Sequence, residues 1–208
     1  ASDVYKRQVY SILTILVVPG GAIATVLIPW FTKHFGKKNT YIYVHVLGAV
    51  VMFAMYFIGR NGGYNNSSNL LWLAIGFVLL GLPQGINNVI TYAMIGDTVE
   101  YLEWKTGERA EGICFSMQTF INKISMAVGA FIGVMAYGIS GISPSDPYNT
   151  VTPEGSEKLW AVLILSGAIS MVATIIPMLF YKVTESKQRE YVKEIEERKA
   201  AKAAKTAE

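Results

Sequence analysis

Apolar positions along the chain gather into five long stretches, and polar residues occupy the connectors between them. A helix needs about 20 mostly apolar residues to cross the roughly 30 Å hydrocarbon core of a bilayer, and each stretch comes close to or exceeds that length. The pattern predicts an all-α fold, in which a polytopic bundle of five transmembrane helices is followed by a charged tail. The predicted spans cover about residues 9–31, 41–58, 70–95, 113–139 and 159–181, and the tail covers 182–208.

The composition of the chain favours a membrane protein over a soluble one. Hydrophobic residues make up 52 % of the sequence and charged residues only 16 %, whereas soluble domains carry about 25 % charged residues. Cys114 is the single cysteine and there are two histidines, which leaves neither a disulfide framework nor the ligands of a multi-cysteine metal site. We therefore expect no metal site, no cofactor and no nucleic-acid partner.

The basic residues indicate the orientation of the bundle. Thirteen lysines and arginines lie in the tail and in the connectors after the first and third spans, whereas only Arg60 and Lys158 lie in the other two connectors. Because Lys and Arg are enriched on the cytoplasmic side, we expect the tail to be cytoplasmic. Its mixed charges predict a solvated helix, and contact with anionic lipid is the alternative.

The ragged start and the odd number of spans indicate that further spans precede this chain. Residues 1–8 are polar, lack an initiating methionine and run straight into the first span. We interpret them as a non-native scar and not as a signal peptide, because they have neither its apolar core nor its cleavage site. The alternative is a genuine five-span protein.

Polar side chains form a stripe along one face of the third span. They follow at i, i+3, i+4, i+7 and i+8, a spacing that places them on the same side of a helix. Unpaired amides in hydrocarbon cost several kcal/mol each, so this stripe must meet protein or water. It either binds a ligand rich in hydroxyl groups or hydrogen-bonds to a neighbouring helix. The residues are Gln84, Asn87, Asn88, Thr91 and Tyr92.

The fourth span carries a lysine deep within its length. Lys123 lies about ten residues, or about 15 Å, into the span, and a lysine at a helix centre costs about 3 kcal/mol. Thr119 shares its face, and Gln118 and Asn122 flank it. Such a residue indicates a functional site. The alternative is a structural ion pair, but the five predicted spans contain no carboxylate, so its partner would lie elsewhere.

The connector after the third span is dense in charge. A solvated loop is the simplest interpretation, and an ion-pair latch that opens and closes in a conformational cycle is the alternative. Its candidate latch residues are Asp97, Glu100, Glu103, Lys105 and Arg109.

Two charged motifs carry a resemblance to a known family. Residues 97–109 have the pattern D-x-x-E-Y-x-E-x-K-x-G-x-R and precede Lys123 at a fixed distance, and residues 31–38 have the sequence FTKHFGKK. The first motif, with Lys123, resembles the glycoside–pentoside–hexuronide:cation symporter family of the major facilitator superfamily, and the second resembles the basic loop that joins the second and third helices of each major facilitator half. The resemblance covers about residues 9–181. The resemblance implies that the five spans correspond to helices eight to twelve of a twelve-helix fold in the bacterial cytoplasmic membrane.

The resemblance also implies a function. In that family a sugar binds midway across the membrane between two six-helix halves, and it moves by alternating access together with a cation. Lys123, Gln118 and Thr119 would bind the sugar, and the carboxylates that bind Na⁺, Li⁺ or H⁺ would belong to the N-terminal half. The expected partners are therefore a small sugar, membrane lipid and that N-terminal half. The latch residues would make cytoplasmic charge contacts between the halves.

The sugar and the exact activity stay open at this point. An aromatic residue that holds the sugar in one member of the family is replaced here by Asn88, so a glycoside, a pentoside or a uronide fits. A carrier of another solute, such as a lipid or an organic anion, and a non-transporting sensor or scaffold are the alternatives. An intramembrane enzyme is disfavoured, because the spans lack a nucleophile–base pair and metal ligands.

Overall fold

The computed structural model describes residues 15–63, 66–143, 145–146 and 150–206. Within these ranges the regular structure is entirely helical, which confirms the all-α prediction. The first four helices are long and apolar enough to cross a membrane. The five helices are α1 Val17–Gly59, α2 Ser67–Thr106, α3 Glu111–Ser140, α4 Pro153–Phe180 and α5 Glu185–Thr206.

Helix α1 consists of two helical arms that are separated at Gly36. This residue has φ of 76° and ψ of 162°, a conformation that costs little only for glycine. The first arm, 17–35, runs in the same direction as α2, and the second arm, 37–59, runs in the opposite direction. This follows from the contacts of Gly20 with Gly81, Ala24 with Gly85, Gly48 with Pro83 and Met55 with Gly76.

The reversal at Gly36 accounts for the number of helices. The two arms of α1 contain residues 17–31 of the first predicted span and all of the second, α2 and α3 contain the third and fourth, and α4 contains the fifth except its last residue. The predicted scar at 1–8 and the start of the first span lie outside the described residues. The connector predicted between the first two spans is helical apart from Gly36. The basic connector was expected to be a loop. Instead, the chain reverses its direction at a single glycine with positive φ.

Glycines bring the first arm of α1 and α2 into backbone contact. A Cβ atom at Gly81 would lie 2.6 Å from the Gly21 nitrogen, and one at Gly85 would lie 2.9 Å from the Gly21 Cα. Real Cβ atoms do not come so close to backbone. Close approach through small residues is how helices associate in a membrane, where burial from water supplies little driving force.

Helix α3 is the least covered of the four long helices. Helix α2 lies against both arms of α1, α4 lies against the second arm, and α3 lies outermost against α4. Only Ala136 and Ser140 of α3 are buried. The face of α3 that points away from α4 is therefore open over most of its length.

Helix α2 continues well past its predicted span. Its 40 residues correspond to about 60 Å of helix, twice the thickness of the bilayer core, and Gly107, in the left-handed conformation, caps its C-terminal end. The acidic segment that was predicted as a connector is thus mostly helical. It belongs to one end of the bundle, which we call the charged end. This end comprises the turn at Gly36, the last turns of α2 and α4, and α5.

Candidate functional site

The polar face of α3 contains the lysine that the sequence singled out. Lys123 is exposed and lines a shallow groove of about 480 Å³ together with Ser116, Thr119 and two phenylalanines. The hydroxyl of Ser116 donates to the Gly112 carbonyl at 2.7 Å, and that of Thr119 donates to the Phe115 carbonyl at 3.0 Å. The two hydroxyls are thus satisfied within their own helix.

Lys123 makes no ion pair with any described residue of this chain. Asn122 beside it is exposed and Gln118 is half-buried. A charged ammonium in the middle of an apolar helix is stable only beside a counter-charge, polar groups or water. A role of the open face around Lys123 in binding a ligand or another protein segment stays a prediction.

The polar stripe of α2 is partly engaged with a neighbouring helix. The Tyr41 hydroxyl, in the second arm of α1, donates to Asn87 Oδ1 at 3.3 Å, and the Thr91 hydroxyl donates to the same oxygen at 3.1 Å. Gln84, Asn88 and Tyr92 are exposed. The hydrogen bond from Tyr41 therefore joins the second arm of α1 to the Asn87 side chain of α2. The side chains of Gln84, Asn88 and Tyr92 make no hydrogen bond with the described residues.

The second span contains a polar pair that was not predicted. The rings of Tyr41 and His45 stack with their centroids 3.9 Å apart, and His45 Nδ1 lies 2.8 Å from the Tyr41 carbonyl oxygen. His45 is only 4 % exposed. The spacing of two polar aromatic residues at i and i+4 in an otherwise apolar stretch was the signal that pointed to this pair.

The α2 stripe and the α3 face are separate in this structure. In the described part of the chain, no hydrogen bond or ion pair joins them, and the groove beside Lys123 is lined by α3 alone. A single ligand site that includes both stays a prediction.

A buried ion pair links the basic motif, residues 31–38, to the acidic motif, residues 97–109, at the charged end. Lys37 Nζ lies 2.6 and 2.7 Å from the two carboxylate oxygens of Asp97, whose side chain is 7 % exposed. The Tyr181 hydroxyl also donates to Asp97 at 3.4 Å. Next to this pair, Lys38 Nζ donates to the Leu179 and Tyr181 carbonyls at 2.9 Å, which satisfies free carbonyls at the end of α4.

The other latch residues are also paired within this chain. Glu103 binds Lys199 at 2.6 Å and Arg109 at 3.1 Å, and Glu100 accepts a hydrogen bond from Gln188 at 2.7 Å. These partners, Lys199 first and Arg109 second, hold the pKa of the Glu103 carboxyl below its usual value, and Glu103 lies beyond the predicted span. The Lys105 ammonium lies 5.9 Å from the centroid of the Tyr101 ring.

Helix α5 docks along α2 through one face. Tyr191 packs on Trp104 with ring centroids 4.6 Å apart, the Trp104 indole N–H donates to Glu194 at 2.7 Å, and Ile195 is 8 % exposed. Arg198 donates to the Trp104 carbonyl at 2.7 Å. The tail is helical and mostly exposed, in line with the predicted solvated helix, but one of its faces packs against α2. The mixed charges of the tail did not indicate this face, on which Glu194 and Arg198 hydrogen-bond to Trp104 of α2.

The fold and these two polar faces are typical of helical membrane transporters, in which polar side chains inside the membrane meet a solute or a counter-charge. Comparison with known proteins makes the assignment specific. The chain matches the family model described as "MFS/sugar transport protein" over residues 4–185, and it belongs to that family, whose members are carriers and not enzymes.

Relatives with curated names agree with the family. The chain is 33 % identical to a protein of Escherichia coli K12 named as a sulfoquinovose importer, over 85 % of the chain and 36 % of that protein. It is 28 % identical to a glucuronide carrier protein homolog of the same organism, over 94 % and 42 %. It is 31 % identical to a protein of that organism named as a 2,3-dihydroxypropane-1-sulfonate exporter, over 85 % and 36 %.

The alignments cover only part of each relative. The chain spans less than half of the length of each of these relatives. No solved structure matches the chain significantly.

Proposed function

We propose that the chain forms the C-terminal part of a sugar–cation symporter that works by alternating access. The observation that carries this proposal is Lys123, a lone cation on the open polar face of a helix that is otherwise apolar enough to cross a membrane. The family assignment supports the sugar, and the exposed face supports a partner segment that covers it. The chain's share of its relatives' length leaves room for such a segment.

The proposed mechanism divides the work between two halves. Sugar binds to the α3 face and to the α2 stripe, and the coupling cation, Na⁺, Li⁺ or H⁺, binds to carboxylates of the N-terminal half. Lys123 senses the cation through its charge. The two halves rock around this site, and coupling arises because the cation binds one state more tightly than the other. The bias of basic residues supports a cytoplasmic charged end in a bacterial inner membrane.

Replacement of Lys123 tests this proposal. In membrane vesicles that contain the complete carrier, we expect Lys123→Ala to abolish accumulation of a transported glycoside against its gradient, because the charge that links sugar and cation is lost. The matched control is Lys158→Ala, since Lys158 lies at the other end of the bundle in an exposed pair with Glu154. Normal accumulation by Lys123→Ala would contradict the proposed role of Lys123 in symport.

A second candidate is export of a small organic anion. It is supported by the relative named as a 2,3-dihydroxypropane-1-sulfonate exporter and by the absence of any carboxylate in the predicted spans, which leaves Lys123 free for an acidic solute. Uptake into inside-out vesicles separates the candidates. A glycuronide that accumulates only in right-side-out vesicles supports the symporter, and 2,3-dihydroxypropane-1-sulfonate that accumulates only in inside-out vesicles supports the exporter.

A further inference from the structure

The Asn87 amide lies at the boundary between a packed and an open surface of α2. Ile86 and Ile90, on the packed side, are each 1 % exposed and belong to the core against α1. Asn87 itself and Asn88, on the open side, are exposed. A side chain at this boundary can be held by protein on one side and meet a solute on the other.

Two hydroxyl groups hold the amide, one from the packed second arm of α1 and one from α2 itself. Tyr41 and Thr91 both donate to Asn87 Oδ1, at 3.3 and 3.1 Å. A carbonyl oxygen of this kind has two lone pairs, and the amide nitrogen has two N–H donors. Both lone pairs of Oδ1 are thus used within the protein, whereas the Nδ2 group has no hydrogen-bond acceptor among the described residues.

Tyr41 is itself held in place. Its ring stacks on His45 at 3.9 Å, its residue is buried, and Thr174 of α4 lies beside its hydroxyl. His45 also hydrogen-bonds to the Tyr41 carbonyl oxygen, so it contacts both the ring and the backbone of Tyr41. The second arm of α1 thus presents a rigid hydroxyl to α2.

We propose that Tyr41 is a positioning residue, which together with Thr91 fixes the Asn87 amide so that its N–H donors face the solute. The site would then favour solutes that present oxygen acceptors, such as the carboxylate or the hydroxyl oxygens of a sugar acid. This inference rests on the proposed function for the solute, whereas the orientation of the amide stands on the hydrogen bonds alone.

Tyr41→Phe removes one hydroxyl and keeps the ring. In the complete carrier, with p-nitrophenyl β-D-glucuronide as the transported probe, we expect the KM for uptake to rise about fivefold, the effect of one typical hydrogen bond, with the maximal rate changed less than twofold. The control is Tyr43→Phe, because Tyr43 is 56 % exposed and its ring packs on Phe35 of the first arm, with the centroids 5.7 Å apart. An unchanged KM, or the same rise in the control, would overturn the proposal.

Thr91 provides a second and independent pair of variants. Thr91→Val keeps the shape of the side chain and loses the hydroxyl, and Thr91→Ser keeps the hydroxyl. We expect the KM to rise in the first variant and to stay near that of the unmodified carrier in the second. A merely structural role would affect both variants alike or lower the maximal rate, and either result counts against positioning.

A measurement on the amide separates this inference from the proposed function. In protein labelled with ¹⁵N-asparagine, with the Asn87 side-chain signal identified by its loss in Asn87→Asp, we expect Tyr41→Phe to shift that signal and Tyr43→Phe to leave it unchanged. An unshifted signal in Tyr41→Phe overturns the orientation. If the signal shifts but the unmodified carrier does not take up the glucuronide, the solute fails and the orientation stands.

Discussion

At the scale of single residues, the charged end depends on a pair that comes from two separate motifs. Lys37 lies beside the turn of α1 and Asp97 lies in α2, and their side chains are 22 % and 7 % exposed. Removing one partner of a buried pair leaves an uncompensated charge, which is far more costly than losing an exposed pair. Asp97 is therefore held in a structural role within this chain, whatever contacts it makes elsewhere.

We expect Lys37→Ala to lower the free energy of unfolding by about 3 kcal/mol or more, and the double variant with Asp97→Ala to cost less than the two single losses added together. Lys193→Ala is the control, since its pair with Glu197 is exposed and is worth less than about 1 kcal/mol. Denaturant titration of the detergent-solubilised chain measures all four. Strict additivity of the two single losses would show that the pair is not coupled.

The charged residues of this end were predictable from the sequence, but their partners were not. The motif 97–109 and the basic run 31–38 were both recognised, whereas Gln188 and Lys199 were not connected to them. A charge pattern shows where carboxylates lie along the chain. Which residue pairs with each carboxylate depends on how the helices pack.

At the scale of elements, the contact of α1 with α2 determines where the polar stripe can lie. Gly20 and Gly21 of the first arm meet Gly81 and Gly85 of α2 at backbone distance. This contact occupies the glycine side of α2 and leaves the polar stripe open beside it. Glycine is required here because any Cβ atom would separate the two backbones.

We expect Gly81→Ala to destabilise the bundle by about 1 to 3 kcal/mol, the usual cost of overpacking a well-packed site. Gly96→Ala, in the same helix, is the matched control, because a Cβ atom there would meet nothing within 4 Å, and alanine favours a helix over glycine by about 1 kcal/mol. Thermal unfolding in detergent compares them. A melting temperature for Gly81→Ala equal to or above that of Gly96→Ala would show that the close contact is absent.

At the scale of the whole molecule, α5 ties the end of the chain to the charged end of the bundle. Tyr191 and Ile195 pack against α2, and Arg198 and Lys199 bind its backbone and its acidic side chains. In the docked position, Lys199 of α5 forms an ion pair with Glu103 of α2. Any contact of Glu103 with another half of the carrier would therefore compete with α5.

Loss of the Tyr191 ring tests the docking of α5. We expect Tyr191→Ala to speed tryptic cleavage within the tail by about three- to tenfold, because an aromatic pair contributes about 0.5 to 1.5 kcal/mol beyond its buried area, and cleavage follows the population of the open form. The control is Glu196→Ala, on the exposed side of α5. If both variants are cleaved at the rate of the unmodified chain, Tyr191 does not hold the helix.

Acid should release the same helix. The pKa of Glu103 is lowered mainly by its bond to Lys199, so its contribution to docking is complete above its ordinary pKa and is lost as the pH falls through the lowered value. High salt should weaken the exposed ion pairs and leave the Tyr191 contact in place.

The sequence by itself determined that the protein is an all-α membrane bundle, because long apolar stretches are local properties that any fold must satisfy, and the resemblance of its charged motifs to a symporter family implied a carrier. It also pointed to Lys123 and to the α2 stripe, since polar groups in hydrocarbon always need a partner. Only the tertiary structure decided which partners are met: Tyr41 for Asn87, Lys37 for Asp97 and α5 for Glu103. Those choices depend on close approaches between segments far apart in the chain, which no local pattern encodes.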